Sequence, residues 1–402
     1  SKILIIIFTS MSLFKEQNQI IPSIFNVGIQ DWDCKEYHGY KVGNMSYNSY
    51  LILDEQPTII DTVPQTFLFE YLQKIEKLVP LNDIQYIIIQ HAEPDACEAL
   101  SQLLQKCKNA RIVCTRKCME HIQILFPDIN RIYEIVNSSQ NLKIGKITLN
   151  FYPTPLVHWP EQMFTYFDKN LFSSDVFSQS YASNYLTVND EIENIVKKKL
   201  MDFVVVEFSH VKKRLAEVFE FTKQFDLYLP QHGVVLNTKL PIQVYTEYFS
   251  PTLNKILVIF DSMWGSTQKM AQSIVEYLKE RNIECKLIDV KLTDMQTIAA
   301  EATQSYGFCF GSPTLNAGAM PKIVEVLNFL RGLEVFKGKK GIVFGSHCWG
   351  DGDGVKWVCQ KLQEVGVEVV GKIKWKLNFD APKKQEMMDL VQKTFVEKSA
   401  EK

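Results

Sequence analysis

The feature of this sequence that most restricts its fold is a regular alternation of apolar, strand-like runs and amphipathic segments after residue 254. The pattern predicts five strands, at Lys255–Phe260, Glu284–Val290, Ser305–Gly311, Lys340–Gly345 and Glu368–Ile373. Helical periodicity separates them near 267–281, 320–332 and 353–365. Strands and helices that alternate in this way form parallel sheets covered on both faces, so we predict an α/β, doubly wound five-stranded parallel sheet.

The first 250 residues mix strands and helices less regularly. Ser49–Leu53 and Pro57–Asp61 are predicted to form a hairpin, an amphipathic helix follows from Val63, and Gln85–Ile89 has the apolar run of a buried strand. A sheet-rich α/β sandwich accommodates this mixture.

A chain of 402 residues is too long for one ordinary core, and a short polar stretch with a proline at 249–254 is typical of a linker. We therefore predict an N-terminal extension over 1–18, a sandwich domain over 19–250 and a second domain over 251–402.

Composition and charge exclude some classes of partner. The net charge is -2, and no Lys/Arg run is interleaved with aromatic residues, so we expect no nucleic-acid partner. The apolar run at 2–8 is too short to span a bilayer and has only weak features of a secretory signal, so we expect no membrane association. The nine cysteines form no C-x-x-C pair and are odd in number, which favours a reducing compartment and a cytoplasmic location.

A loop rich in hydroxyl groups and glycine follows the first strand of the second domain and opens into a helix. Backbone N–H groups at a helix N-terminus bind phosphate. The loop contains neither a Walker lysine nor a G-x-G-x-x-G pattern, which argues against ATP and dinucleotides and favours one monophosphate. The candidate phosphate-binding residues are Ser262, Met263, Trp264, Gly265, Ser266 and Thr267.

Two further loops follow the third and fourth strands, at the carboxyl edge where open α/β sheets bind ligands. Their candidate binding residues are Pro313, Thr314, Leu315, Asn316, Gly318, Ser346, His347, Cys348, Trp349, Gly350 and Asp351. Together the three loops resemble those of flavodoxins. The resemblance implies FMN, with its phosphate on the first loop and its ring between the other two, where Trp349 would stack on it and Trp264 could share that role.

In the first domain, groups that can bind a metal follow several strand-like runs. These groups are His91, Glu93, Asp95, His158, Asp175 and His232. Three carboxylates make a hard, anionic site that suits iron or manganese better than a thiolate-rich zinc site would, although zinc remains open. For His38, His121, His210 and His347 we predict structural roles.

The spacing His91-x-Glu93-x-Asp95, with His158-Trp159-Pro160, Asp175 and Gln231-His232-Gly233, resembles the metal motifs of flavodiiron proteins. The resemblance covers about residues 24 to 380 and implies a metallo-β-lactamase-like αββα sandwich. It also implies a non-haem diiron site with no catalytic residue beyond the metal ligands. One iron would be held by His91, Glu93 and His158, the second by Asp95 and His232, and Asp175 would bridge them. Glu93 stands where the hydrolytic branch of this fold usually has a histidine.

Two positions depart from the family pattern. The family normally has a histidine directly after the aspartate of the first motif, where this chain has Ala96, and it often has one where Ser180 stands. A methyl group cannot bind a metal. The second iron is therefore expected to be one protein ligand short.

The resemblance implies an oxidoreductase that reduces dioxygen to water, nitric oxide to nitrous oxide, or both, with electrons passing from FMN to the iron pair. It also implies a head-to-tail homodimer. Because the sequence contains no rubredoxin-like C-x-x-C module, we expect a separate donor, either a rubredoxin-like protein or a flavin/NAD(P)H reductase. Two alternatives stay open: a zinc-dependent hydrolase with an accessory flavodoxin domain, and a flavoprotein electron carrier with an impaired metal site.

Overall fold

The computed structural model describes residues 14–253, 255–377 and 380–396, and the chain divides into two units, Ser1–Phe249 and Ser250–Lys402. Residues 1–13 of the predicted N-terminal extension, with their apolar run, lie outside the described residues. None of the helices described is both long enough and apolar enough to cross a membrane.

The first unit contains two main sheets. In chain order its strands are β1 Gln19–Ile21, β2 Ile24–Asn26, β3 Ile29–Asp31, β4 Glu36–Tyr37, β5 Tyr40–Lys41, β6 Met45–Tyr47, β7 Tyr50–Ile52, β8 Thr58–Ile60, β9 Tyr86–Ile88, β10 Arg111–Cys114, β11 Tyr133–Ile135, β12 Asn141–Lys143, β13 Thr148–Pro153, β14 Met163–Phe167, β15 Asn170–Ser174 and β16 Leu227–Pro230. One sheet has the order β1-β2-β7-β8-β9-β10-β11, and the other runs from β12 to β16. The pairs β3–β6 and β4–β5 form two small ribbons.

Helices accompany these sheets. They are α1 Leu68–Glu76, α2 Pro94–Cys97, α3 Leu100–Lys106, α4 Arg116–Leu125, α5 Glu193–Phe208, α6 Lys212–Thr222 and α7 Leu240–Phe249. The helix predicted from Val63 begins as a 3₁₀ turn at Gln65–Phe67 and becomes α-helical only at Leu68.

A shared apolar core holds the two sheets together. Side chains from both sheets belong to one buried cluster, including Ile52 and Ile88 of the first sheet and Phe151 and Phe172 of the second. The Tyr50 ring meets the Phe172 ring edge-on at 5.4 Å. Sheets buried against each other in this way form the predicted sandwich.

The second unit is the predicted doubly wound domain. Its strands are β17 Lys255–Phe260, β18 Cys285–Asp289, β19 Ser305–Gly311, β20 Lys340–His347 and β21 Glu368–Lys376. All pairs are parallel, in the order β18-β17-β19-β20-β21, so the fold prediction is confirmed. Its helices are α8 Ser266–Lys279, α9 Met295–Thr303, α10 Pro321–Gly332, α11 Asp353–Glu364 and α12 Ala381–Val391, followed by a π-helical turn at Gln392–Val396.

The carboxyl ends of neighbouring strands bring the candidate residues of each unit together. β17, β19 and β20 lie side by side, so the three loops that follow them share one edge. The loops are tied to each other, since the Thr314 amide donates to the Ser346 carbonyl at 2.9 Å. In the first unit, β15 and β16 are parallel neighbours, which brings the segments carrying Asp175 and His232 together.

The backbone at Gly345, in β20, packs closely against the backbone that follows β19. A Cβ on Gly345 would lie 1.9 Å from the Ser312 carbonyl oxygen, a contact that requires the backbone to move. We expect Gly345→Ala to lower the free energy of unfolding by about 1–3 kcal/mol, as overpacking does. Urea unfolding followed by tryptophan fluorescence measures the change, because four of the six tryptophans belong to this unit.

Gly332→Ala is the matched control, since a Cβ on Gly332 meets no atom within 4 Å. We expect its unfolding free energy to stay within about 0.5 kcal/mol of the parent protein. Equal effects of the two substitutions would contradict the close-packing explanation.

Candidate functional site

Four of the six candidate metal ligands form one buried cluster. His91, Glu93, His158 and Asp175 each offer an atom within 4.8 Å of the others. Glu93 Oε2 lies 3.5 Å from His91 Nε2 and 3.2 Å from His158 Nε2. The ligand atoms converge because Asp175 directly follows β15, while His91 and Glu93 lie in the segment between β9 and α2.

Asp175 faces two groups of histidines through its two oxygens. Oδ2 lies 2.9 Å from His91 Nε2 and 3.3 Å from His158 Nε2, while Oδ1 lies 3.4 Å from His232 Nε2. The carboxylate is only 1% exposed. Asp175 therefore has the geometry of a bridge between two adjacent metal positions.

The second position is bounded by Asp95 and His232. Asp95 Oδ2 lies 3.2 Å from His232 Nε2. The structure therefore brings all six candidate residues together, in two groups that share Asp175.

Hydrogen bonds hold the imidazoles in place. His232 Nδ1 lies 2.6 Å from the Ser46 carbonyl oxygen, which can only accept, so this nitrogen carries a proton and Nε2 faces the site. His91 Nδ1 lies 3.1 Å from the Ser174 hydroxyl. Such outer contacts orient metal-binding histidines.

The site carries excess negative charge. Burial alone would lower the pKa of the buried histidines, but the neighbouring carboxylates outweigh it and raise the pKa of His158 and of His232 to about 10. Burial would likewise raise the pKa of Asp175, but the charges of His91 and the other histidines hold it well below its usual range. A bound metal cation would replace these protons as the balancing charge.

Several buried polar atoms of the cluster form no hydrogen bond of good geometry among the described residues, although some contact each other as ion pairs. They are His91 Nε2, Glu93 Oε2, Asp95 Oδ1 and Asp175 Oδ1. Unsatisfied buried polar atoms are rare and call for an unseen partner. Converging imidazole nitrogens and carboxylate oxygens fit a hard transition-metal ion such as iron.

Two residues next to the cluster were missed as functional candidates by sequence reasoning. Tyr37 donates its hydroxyl to Asp95 Oδ2 at 2.7 Å. His38, for which the sequence predicts a structural role, places Nε2 3.1 Å from Glu93 Oε1 and Nδ1 3.5 Å from Glu207 Oε2. Both lie on the β4–β5 ribbon, far from the motifs along the chain, so no spacing rule could have found them.

The two positions that depart from the family pattern are both buried. Ala96 is fully buried in α2, and its carbonyl accepts hydrogen bonds from the Thr62 amide at 2.6 Å and the Thr62 hydroxyl at 3.0 Å. Ser180 is 1% exposed, and its hydroxyl has no hydrogen-bond partner among the described residues.

The second unit has a cavity of about 500 Å³ at the strand ends, a size typical of cofactor sites. Ten predicted binding residues line it: Ser262, Met263, Trp264, Ser266, Pro313, Thr314, Ser346, His347, Cys348 and Trp349. Lys269 and Leu377 also line it and were missed by sequence reasoning, since neither belongs to a predicted loop.

The other predicted binding residues lie outside the lining. Gly265 takes a positive φ of 85° immediately before α8, and Thr267 is buried behind the loop. The backbone amides of Leu315 and Gly318 each donate a hydrogen bond to the other residue's carbonyl, across a tight turn that contains Asn316. Gly350 also has positive φ, and Asp351 pairs with Lys356 and Lys374.

The cavity fits FMN. Its wall combines hydroxyl groups at the N-terminus of α8 with the cation Lys269, which suits a phosphate. Trp264 is 92% exposed and Trp349 is 81% exposed, although both line the cavity. Large aromatic rings left open to solvent beside a cavity can stack on a flat ring system.

The comparisons with known proteins agree with the folds of both units. A sequence profile described as "ODP family beta lactamase" matches residues 45–233, and one described as "Flavodoxin" matches 258–392. The anaerobic nitric oxide reductase flavorubredoxin of Salmonella paratyphi A is 33% identical over 374 residues, covering 88% of this chain and 77% of that protein.

Solved structures agree as well. The flavodiiron protein from Giardia intestinalis has a TM-score of 0.88 and 31% identity, over 94% of this chain and 95% of that one. The rubredoxin oxygen:oxidoreductase from Desulfovibrio gigas has a TM-score of 0.85 and 27% identity, over 94% and 97%.

Removing the negative charge of Asp175 should affect both metal positions, because each faces one of its oxygens. We expect Asp175→Asn to lower the metal content from two ions per chain to one or fewer, measured by plasma mass spectrometry. The exposed Asp190→Asn is the control and should retain the parent content. An Asp175→Asn protein that keeps two ions would rule out the bridge.

Stacking on Trp349 should contribute to FMN binding. We expect Trp349→Ala to raise the FMN dissociation constant about three- to tenfold, as the loss of one aromatic stacking contact does. Fluorescence titration of the apoprotein with FMN measures this. Trp357→Ala, on α11 and outside the cavity lining, should leave the constant unchanged. Equal constants for both variants would show that Trp349 does not contact the ring.

Proposed function

Because this chain belongs to the flavodiiron protein family, we propose that it is an oxidoreductase that reduces dioxygen to water, nitric oxide to nitrous oxide, or both. The family membership follows from the identity shared with the flavodiiron protein from Giardia intestinalis and with the flavorubredoxin over most of each chain. FMN would bind in the cavity of the second unit, and two iron ions would bind at the two groups of ligands in the first.

The observation that carries this proposal is the position of Asp175 between two sets of imidazoles. His91, Glu93 and His158 would hold one iron, Asp95 and His232 the other, and Asp175 would bind both. Three carboxylates balance much of the charge of two divalent ions and favour iron over softer metals.

The chemistry divides between the cofactors and the chain. When bound, FMN supplies electrons and the iron pair supplies the positions at which a diatomic gas is reduced. Reduction of one dioxygen to two waters takes up four electrons and four protons. Reduction of two nitric oxide molecules to nitrous oxide and water takes up two of each. The chain must therefore deliver protons to a buried site.

His38 is placed to hold a proton between solvent and the cluster. Its side chain is 35% exposed, and its Nε2 contacts Glu93 Oε1, so it connects solvent with the cluster. Burial disfavours its charge, but hydrogen bonds to Glu207 and Glu93 outweigh this and raise the pKa of His38 to about 10. The Oε2 atom of Glu93 remains directed at His91 and His158, so Glu93 can bind metal while Oε1 accepts from His38.

The partners of this reaction extend the proposal. Electrons would come from a separate rubredoxin-like protein or from a flavin/NAD(P)H reductase. The names of two similar proteins, a flavorubredoxin and a rubredoxin oxygen:oxidoreductase, support the rubredoxin-like donor. Two copies would form a head-to-tail homodimer in the cytoplasm.

The test is gas consumption by the reduced protein. Protein loaded with FMN and iron is reduced anaerobically and mixed with dioxygen or nitric oxide, and electrodes follow each gas while gas chromatography follows nitrous oxide. We expect rapid consumption of at least one gas, and at least a tenfold slower rate for Asp175→Asn, with the rate of Asp190→Asn unchanged.

Metal analysis of the same samples separates the rival functions. Two zinc ions and negligible iron per chain would favour a hydrolase. Two iron ions with flavin reoxidation no faster than in Asp175→Asn would favour an electron carrier. Either result would overturn the proposed function.

A further inference from the structure

Tyr37 reaches the second metal position from a part of the chain that the metal motifs do not include. It ends β4, and His38 and Gly39, with φ of 50° and 80°, form the tight turn to β5. Two-residue hairpin turns of this type hold their flanking residues in a fixed register. The Tyr37 ring stacks on His38 at 3.9 Å and meets His232 edge-on at 5.4 Å, which fixes the direction of the hydroxyl.

We propose that the Tyr37 hydroxyl oxygen binds the second iron directly and completes a donor set with Asp95, His232 and Asp175. This inference rests on the proposed function, because it takes iron as the occupant of the site. It assigns a ligand that the sequence motifs do not supply.

The spacing of the four donor atoms fits a shared ion. Atoms bound to one metal at about 2.0–2.2 Å are separated from each other by roughly 2.8–3.5 Å. Tyr37 Oη lies 2.7 Å from Asp95 Oδ2 and 3.3 Å from His232 Nε2. Two further distances, from His232 Nε2 to Asp95 Oδ2 and to Asp175 Oδ1, are 3.2 and 3.4 Å.

Hydrogen bonds alone do not satisfy these atoms. Because Nδ1 donates to the Ser46 carbonyl, His232 presents Nε2 to the site, where a metal ion can take the place of a proton. Asp95 and Asp175 present further lone pairs, and the buried Asp175 Oδ1 meets His232 Nε2 at 3.4 Å without a hydrogen bond of good geometry among the described residues. Tyr37 has a single proton, which its hydroxyl donates to Asp95 Oδ2. A cation bound to all four atoms removes the deficit.

The residue that follows Asp95 in the chain cannot provide this ligand. Ala96 offers only a methyl group, and its carbonyl is engaged by Thr62. Tyr37 approaches from a different element and supplies an oxygen at the position bounded by Asp95 and His232. A tyrosine oxygen is a hard anionic donor and suits ferric iron.

The binding step gives the site an optical signature. The O–H bond of Tyr37 breaks, an Fe–O bond forms, and one proton leaves to solvent without any change in oxidation state. Phenolate bound to ferric iron produces a charge-transfer absorption band at longer wavelength than the flavin bands. Resonance Raman excitation in that band selects the ring vibrations of the bound tyrosine.

The experiment uses the FMN-loaded holoprotein, saturated with ferrous iron and then oxidised. We expect two irons per chain and the charge-transfer band with tyrosine ring vibrations. Tyr37→Phe keeps the ring packing and should lose the band, with its iron content falling from two towards one per chain.

The matched control is Tyr47→Phe. Tyr47 is also buried, and its ring lies 5.7 Å from His232, but its hydroxyl bonds to Cys34 rather than to a ligand atom. We expect this variant to keep both the band and two irons. Circular dichroism of each variant checks that the fold is retained.

Three outcomes overturn the assignment: an oxidised holoprotein with two irons but no band, a Tyr37→Phe protein that keeps the band, or a parent protein that binds only one iron at saturation. The proposed function fails separately, when a protein that holds two irons consumes neither gas. The band reports on Tyr37 whether or not a gas is reduced.

Discussion

The sharing of one buried carboxylate between two sets of imidazoles organises the first unit of this protein. Asp175 is 1% exposed and contacts His91, His158 and His232 within 3.4 Å. Burying a charge costs several kcal/mol unless it is paired, so the carboxylates and histidines need each other or a metal to remain inside. The same charge concentration that would destabilise a core without partners favours the binding of cations at this site.

The fold meets this requirement by bringing strand ends together. The segments that follow β15 and β16, two parallel neighbours, carry Asp175 and His232, and the segment after β9 carries His91 and Glu93. The second unit uses the same principle for a different ligand, since the loops after β17, β19 and β20 share one edge and enclose the cavity. In both units regular strands fix the positions and irregular segments supply the chemistry.

The position after Asp95 shows that the residues of a binding site must be close in space but need not be close in the sequence. Ala96 removes a donor that the family usually provides, and the loss alone suggests a weakened site. Tyr37, on a ribbon almost sixty residues earlier, has its hydroxyl oxygen 2.7 Å from Asp95. A change in one element can therefore be offset from another, provided both reach the same point.

The sequence by itself determined the α/β class, the five parallel strands of the second unit and the six residues of the metal cluster, Asp175 among them, because strand periodicity and strand-end chemistry are local signals. It failed for α9 and α12: α9 is buried on nearly all sides and α12 is rich in charged residues, so neither shows a clear amphipathic period. Only the tertiary structure showed that Tyr37 and His38 contact the metal ligands. It also showed that Lys269 and Leu377 line the cavity. Asp351 was found to pair with two lysines. These contacts join residues distant along the chain, and their geometry depends on how the packed sheets and a positive-φ turn orient each side chain.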